Sequence, residues 1–543
     1  MKFSNREMFD FIIVGAGSAG CVLAERLTAN GRHKVLVLEA GGSDRRFFVQ
    51  MPLGYGKTFY DPRVNWMYSC EADPGLNGQR DYYPRGKVLG GSSSINAMVY
   101  IRGHRRDYDD WKAAGNPGWG WDEVLPVYQK IEGYAGGDPA LRGQSGPLHI
   151  TDLGPDAHPL CAPYLAAAEA AGLKFTPDFN GVEQEGVGLY QLTTKGGRRL
   201  SAARAFLRPA MSRKNLKVET GAHVTRVLFE GARAVGVEYV RHGQTMRASG
   251  GEVIVSGGAI NSPQLLQLSG IGPGALLQGM GLEVLRHNAN AGARLQDHHG
   301  INYTWRMKVP TLNDALRPWR GKLSAGLRYI LTRRGPLSLS VNQGGGFFRT
   351  SPDLDRPNMQ LYMQAFSTLI PKEGERPLLT PDPFSGLSLG LSNCRPTSTG
   401  EVMIKSPDPF IHPRITFNAY ATANDISEML DAVKFLRVIA GHQPLRGLIA
   451  EELRPGPAVI ADADLIHDIR QRSGTVYHQS STCRMGPDPA TSVVDPRLEV
   501  HGVERLRVCD ASVFPNLIAG NTNAPAMMVG WRGSEIILAD AGG

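Results

Sequence analysis

Gly15, Gly17 and Gly20 stand at a spacing that can cradle a pyrophosphate. The first permits a tight turn, the second lets backbone approach the phosphates, and the third lets a helix pack close on a strand. Ser18 and Ala19 fall where the helix N-terminus would offer free N–H groups and a positive dipole end. Glu39, about 20 residues on, is placed to accept hydrogen bonds from ribose hydroxyls, with Ala40 beside it. The chemistry on offer is the binding of a dinucleotide. In a chain with 65 glycines such a motif arises by chance, so its context must carry the reading. The context is present. Phe11-Ile-Ile-Val14 is a buried strand in pattern, Cys21 to Leu27 continues as a helix, and Val35-Leu-Val-Leu38 is a second strand ending on the acid.

A second glycine cluster, Gly86-Lys-Val88-Leu-Gly90-Gly91-Ser92-Ser-Ser-Ile95-Asn96, could form another loop around phosphates. Between the two clusters, residues 43–85 are rich in Gly, Pro and aromatics and form a long excursion, of which residues 50–70 could cover a site. Residues 222–249 alternate as a β-meander, followed by a separate buried strand at 252–255. A helix then starts with Ser262 as N-cap and Pro263 in its first position. Residues 300–420 carry alternating runs between Pro-rich stretches, which favours a mainly antiparallel sheet in a separate lobe. Residues 421–450 read as one long amphipathic helix. Leu506-Arg-Val-Cys509 is a last short strand, and the final helix starts near Pro525.

These elements predict a Rossmann-type α/β domain, a parallel sheet plus β-meander, from residues 1–155, 195–305 and 470–543. An α+β substrate domain on an antiparallel sheet takes residues 156–194 and 306–469. The strands at 11–14, 35–38, 252–255 and 506–509 would share the parallel sheet.

Bulk properties exclude other classes. The net charge is +8, but Lys and Arg are spread without a run, which argues against nucleic acid. Six cysteines lack CxxC spacing, so neither a zinc site nor a disulfide scaffold is expected, and no metal ligand set is found. Cys21 and Cys509 read as small buried hydrophobes. Met1 to Glu7 run into the first strand without a signal segment, and no apolar run is long enough to span a membrane. The expectation is a cytoplasmic enzyme, with peripheral membrane contact left open.

Four separated motifs agree in order and spacing: 15–20; 84–96; Gly258 to Gly272; and Val476 to Gly486 with Asp510 to Pro515 and Gly520 to Pro525. Together they resemble the glucose–methanol–choline (GMC) oxidoreductases over almost the whole chain, and most the bacterial choline-dehydrogenase-like branch. The resemblance implies FAD as the dinucleotide. It places the pyrophosphate on the fingerprint glycines and the adenosine ribose on Glu39. Val88, Gly91, Ser92, Asn96, Ala97, Met98 and Val99 would run along the pyrophosphate, ribityl chain and flavin ring. Val224 would meet adenine through its backbone, and Asp510 and Ala511 the phosphate and ribityl region. Tyr477, Thr522 and Pro525 complete the expected cofactor contacts. Some members tether the flavin through a histidine where this chain has Ile95, so the resemblance implies non-covalent FAD here.

The reaction implied is oxidation of an alcohol to an aldehyde or ketone. The flavin accepts a hydride, and the protein handles the hydroxyl proton. Histidine suits that proton, but with 14 histidines spacing cannot choose one. The motif Tyr477-His478-Gln479 matches the family's general base, and Asn523 is matched to its partner, a donor for the substrate oxygen. Asn523 could instead cap the last helix, or Asn521 could cap and leave Asn523 free. Asp297, His298 and His299 are read as structural, and Met527 and Met528 as helix core whose backbone could contact the flavin. Electrons would pass to a quinone or other carrier. The alternatives are an oxidase making hydrogen peroxide and, from another class, a hydroxynitrile lyase-like enzyme that keeps FAD. An NAD-dependent enzyme using the same fingerprint would lack flavin absorbance. The particular alcohol and the oligomeric state are not legible.

Overall fold

A computed structural model describes residues 8–369 and 380–542; the stretch Met1 to Glu7, read above as free of a signal segment, lies outside them. Met8–Val14 and Val35–Glu39 are adjacent parallel strands, and Val35–Glu39 is buried throughout. That burial on both faces is why they read as continuous apolar runs rather than alternating ones. Leu216–Thr220 extends the sheet on one side, parallel to Val35–Glu39. Gln244–Val255 pairs in parallel with Met8–Val14 on the other, and Leu506–Val508 joins Gln244–Val255.

The meander and the core strand at 252–255, expected as separate, are one strand of 12 residues, Gln244–Val255. Its first half pairs antiparallel with Arg233–Arg241, and its second half enters the parallel sheet. Gly250 and Gly251 look like a break in the sequence, yet the chain runs straight through. A Cβ on Gly250 would stand 2.8 Å from Ile12 Cγ1, so the residue is small for packing rather than for turning.

The expected helix start at Ser262 is also corrected. The helix runs Gly258–Leu268 with Pro263 inside it. The carbonyl that Pro263 leaves without an N–H, that of Ala259, accepts instead from the Thr482 hydroxyl at 2.7 Å. The Ser262 hydroxyl accepts from Gly257 N–H at 3.0 Å and donates to Asp510 at 2.6 Å, tying the end of one parallel strand to the next.

The second sheet is antiparallel, in the order Ile449–Arg454, His299–Met307, Gly386–Asn393, Met359–Gln364, Gly344–Phe348, Gly186–Leu189. The helix Ala423–Gly441 buries Met429, Val433, Leu436 and Ile439 in the same apolar cluster as this sheet. It stops nine residues short of the expected end. Pro444 cannot continue it, and the chain returns to the sheet as Ile449–Arg454. Gly474–Thr475 pairs with the start of His299–Met307, so the segment leading to His478 is anchored on the antiparallel sheet. The last helix, Asn523–Asp540, packs back on Ser18–Thr28; a Cβ on Gly530 would stand 2.7 Å from the Ala19 carbonyl oxygen. The first and last of these helices therefore meet beside the fingerprint.

Candidate active site

The fingerprint forms as its spacing predicts. Gly15 has φ +100°, and a Cβ there would stand 2.5 Å from the Ser256 carbonyl oxygen. A Cβ on Gly20 would meet the Gly15 carbonyl at 2.0 Å, so the helix–strand approach admits no side chain. The second glycine cluster folds onto the first as a short 3-10 turn, Gly91–Ser94. Gly91 has φ +52°, and a Cβ on it would stand 2.7 Å from Gly17 Cα. Two backbone loops thus touch and form one wall.

That wall faces a cavity of about 1180 Å³ running between the two sheets. Ordinary small-molecule pockets hold about 300–1,000 Å³, so there is room for a dinucleotide and a substrate. Of the residues expected at the cofactor, Gly15, Gly17, Ser18, Ala19, Glu39, Ala40, Gly91, Ser92, Asn96, Ala97, Met98, Val99, Val224, Tyr477, Asp510, Ala511 and Thr522 line it. Gly20, Val88 and Pro525 do not. Gly20 packs behind the turn, Val88 is fully buried with its backbone bridged to Gly42, and Pro525 lies inside the last helix, where Ala526 takes the lining position. Met527 and Met528 are buried helix core.

Polar groups at the dinucleotide end are well placed. The Glu39 carboxylate accepts from Ala16 N–H at 2.9 Å and Gly41 N–H at 2.7 Å. Burial pushes its pKa up to about 7, opposed by those N–H groups and by Lys87. Its remaining lone pairs are available to ribose hydroxyls. Asp510 spends its carboxylate on the protein, accepting from Gly258 N–H, Ser262 and Ser512 N–H, so its contribution to the cavity is backbone and position. Two helices point their N-termini at the cavity, Ser18–Thr28 and Asn523–Asp540, a favourable setting for phosphate and for charge on a reduced ring.

At the other end stands His478, buried, with its backbone N–H donating to Asp297 at 2.7 Å. The Asp297 carboxylate also accepts from Thr475 and Gln479, so it fixes the whole turn. Tyr477 before the histidine has φ +72°. A non-glycine residue in this region costs about 1–2 kcal/mol, and the ring is locked by its contact with Phe59 at 5.2 Å between centroids.

The asparagine that meets the histidine is Asn521, not Asn523. Asn521 Nδ2 lies 3.0 Å from His478 Nε2. Asn523 accepts a hydrogen bond from the Ser18 hydroxyl at 2.8 Å and joins the two helix starts. Neither caps the last helix through its side chain. The helix begins at Asn523, whose side chain meets Ser18; Asn521, still before the helix, meets His478 at the cavity wall.

His298, read from sequence as structural, touches the same histidine. Its Nδ1 is 2.9 Å from His478 Nδ1, and its Nε2 is 3.0 Å from the Cys394 carbonyl. A carbonyl only accepts, so His298 carries its hydrogen on Nε2. Burial lowers its pKa to about 4, so it is neutral and its Nδ1 is bare. His478 must then donate from its own Nδ1, which leaves a lone pair on Nε2, toward Asn521 and the cavity. Burial above all, then the unfavourable pairing of two protonated rings with His298 and the charge of Arg85, hold the His478 pKa well below the usual value. His478 is thus a neutral imidazole whose bare Nε2 is directed to the cavity wall. His299 is indeed structural, paired with Asp81 at 2.8 Å. Arg85, in the motif at 84–96 but given no role there, lines the cavity and donates to the Tyr477 carbonyl at 2.6 Å.

Known proteins share the family and the fold of this chain. The GMC oxidoreductase family models match residues 9–300 and 396–530. An alcohol dehydrogenase (acceptor) of Pseudomonas putida is 42% identical over 536 residues, covering 98% of this chain and 96% of that protein. Mitochondrial choline dehydrogenase of Homo sapiens is 41% identical over 543 residues, covering 98% and 90%. Among solved structures, pyridoxine 4-oxidase from Mesorbium loti matches with a TM-score of 0.87 at 30% identity, covering 97% and 98%. A formate oxidase of Aspergillus oryzae RIB40, an FAD protein, matches with a TM-score of 0.91 at 26% identity, covering 99% of each chain.

Proposed function

Because this chain belongs to the GMC oxidoreductase family and is an FAD-dependent oxidoreductase acting on CH–OH donors, we propose that it oxidises an uncharged alcohol to an aldehyde or ketone with His478 as general base. Asn521 holds the substrate oxygen, in the role the motif suggested for Asn523. Electrons leave to a quinone or another acceptor. The observation that carries this reading is the 3.0 Å contact of His478 Nε2 with Asn521 Nδ2 in the cavity wall.

An alcohol oxygen can replace that contact on both sides. Its O–H donates to His478 Nε2, and its lone pair accepts from Asn521 Nδ2. As the proton moves to Nε2, negative charge builds on the oxygen and the Asn521 amide stabilises it. The C–H bond breaks with its electron pair, and the C=O bond forms. FAD, when bound, supplies the acceptor for that hydride. In this reading FAD is untethered: Ile95 lines the cavity where the family's tethering histidine would stand, and an alkyl side chain forms no bond to a flavin.

The preference for an uncharged alcohol rests on the cavity wall. Among the described residues its carboxylates are Glu39 and Asp510, both at the dinucleotide end, whereas Lys57, Arg85, Lys322, Arg454 and Arg472 line it elsewhere. A cation such as choline would find no carboxylate on the cavity wall at the His478 end, since Asp297 beside His478 does not line the cavity and accepts from His478 N–H, Thr475 and Gln479. Passing electrons to an acceptor other than oxygen is supported by the name of the Pseudomonas putida relative. The oxidases among the structural neighbours support peroxide formation as the second reading. Anaerobic bleaching of the flavin by a panel of alcohols, followed by dye reduction and peroxide assays in air, tests both. The expected result is bleaching by neutral alcohols, little by choline, and dye reduction without stoichiometric peroxide. Choline as the best substrate, or stoichiometric peroxide with no dye preference, overturns it.

A further inference from the structure

The helix Trp319–Thr332 turns its apolar side outward. Ala325 and Tyr329 face the protein and are buried. Trp319, Leu323, Leu327, Ile330 and Leu331 are exposed, from 51% for Leu327 to 79% for Leu331. At 3.6 residues per turn these five fall within an arc of about 120°, away from the buried side. The patch continues onto the excursion after the second strand. Phe47 and Phe48 are exposed, and the Phe47 ring lies 6.3 Å from Tyr329 and 5.4 Å from Phe48. An apolar stripe that faces away from the core is unexplained by folding.

Next to it is a concentration of positive charge. Arg45, Arg46, Arg198, Arg204, Arg208 and Arg333 surround a cavity of about 370 Å³ together with Phe47 and Tyr329. Arg208 pairs with Asp44. The other five have no salt-bridge partner among the described residues. Burial first, then the charge of Arg198, hold the Arg204 guanidinium below its usual range, with Asp44 and Tyr329 opposing the shift in part.

We propose that this face docks on an anionic lipid bilayer, with the apolar side chains entering the headgroup boundary and the arginines taking the lipid phosphates. Guanidinium groups suit phosphate oxygens, and an amphipathic helix with Trp and Leu on one side and basic residues beside them is built to lie in that boundary. The face borders the catalytic cavity, because Phe48, Leu316 and Lys322 also line that cavity. A docked enzyme would open toward the bilayer, the source of an apolar alcohol or of a lipid-soluble acceptor. This last consequence rests on the proposed function; the docking itself does not, since it is read without turnover.

The test is co-sedimentation of the FAD-loaded full-length protein with phosphatidylglycerol-containing vesicles and with pure phosphatidylcholine vesicles. Binding to the anionic vesicles that weakens with salt is expected. Leu323→Glu/Leu327→Glu and Arg45→Glu/Arg46→Glu should each lower it at least tenfold, while dye reduction with a water-soluble alcohol stays within twofold of wild type. A blue shift of fluorescence on binding, lost in Trp319→Phe, would place the helix at the lipid. The proposal is overturned if the protein ignores anionic vesicles or if the variants bind like wild type. It is equally overturned if the patch instead mediates a stable dimer that Leu327→Glu dissociates, with no vesicle binding.

Discussion

The Nδ1 atoms of His298 and His478 face each other at 2.9 Å, and only one of them can carry the hydrogen. The Cys394 carbonyl, at 3.0 Å from the far nitrogen of His298, decides which. By this relay a main-chain carbonyl fixes the lone pair of His478 toward the cavity. His298→Phe removes the acceptor and frees the His478 ring to choose its tautomer. The flavin-reduction step should slow on the order of tenfold, less than the 10²–10⁴ that general-base catalysis supplies, with FAD retained. Rapid mixing with alcohol under anaerobic conditions reads this. An unchanged rate means that His298 has no part in orienting the base.

The acid limb of kcat/KM should lie below the ordinary histidine value, because burial, His298 and Arg85 all disfavour protonated His478. Arg85→Met removes the guanidinium charge and should shift the limb toward higher pH. A limb at or above the ordinary value in wild type contradicts the neutral buried base.

Stability should carry a matching signature. His298 titrates at about 4 in the fold and near the ordinary value of about 6.5 when unfolded. As pH falls from that value, the unfolded chain takes up the proton first, so stability is present above the unfolded pKa and lost as pH drops through the folded one. Melting temperature against pH should decline over this window, and His298→Phe should flatten part of the decline. Identical slopes in both proteins would argue against it.

Asn521 and Asn523 are two residues apart and separable by kinetics. Asn521→Ala should lower the flavin-reduction rate about 100-fold, as expected for losing a donor to developing oxygen charge. Asn523→Ala removes the acceptor of the Ser18 hydroxyl and should affect FAD retention more than the rate. The reverse ranking would restore the pairing read from the motif.

Gly91→Ala should release FAD. Its Cβ would press on Gly17 Cα at 2.7 Å, at a backbone angle that side chains disfavour. The purified variant should show reduced flavin absorbance. Full yellow protein would mean that the two loops move apart at little cost.

The strands Met8–Val14 and Val35–Glu39 were legible because burial on both faces leaves an apolar run with nothing to interrupt it. Glycines were legible where they make a turn, as at Gly15, and misleading where they only make room. Gly250 and Gly251 divided one strand into two in the sequence reading because a missing side chain looks the same in either case. Pro263 suggested a helix start, since the Thr482 hydroxyl that lets it sit inside the helix comes from far along the chain. The site divides in the same way. His478 was singled out by its motif, but local spacing does not tell which of two nearby asparagines faces it. That depends on where the last helix begins. His298 was passed over because its contact with His478 exists only once the antiparallel sheet brings residues 298 and 478 together.

The measurement closest to the central claim is the anaerobic rate of flavin reduction by an alcohol in His478→Ala. The account predicts protein that stays yellow, with FAD bound, and a rate at least about a hundredfold below wild type, as loss of a general base requires. A rate near that of wild type, with FAD equally bound, would contradict it.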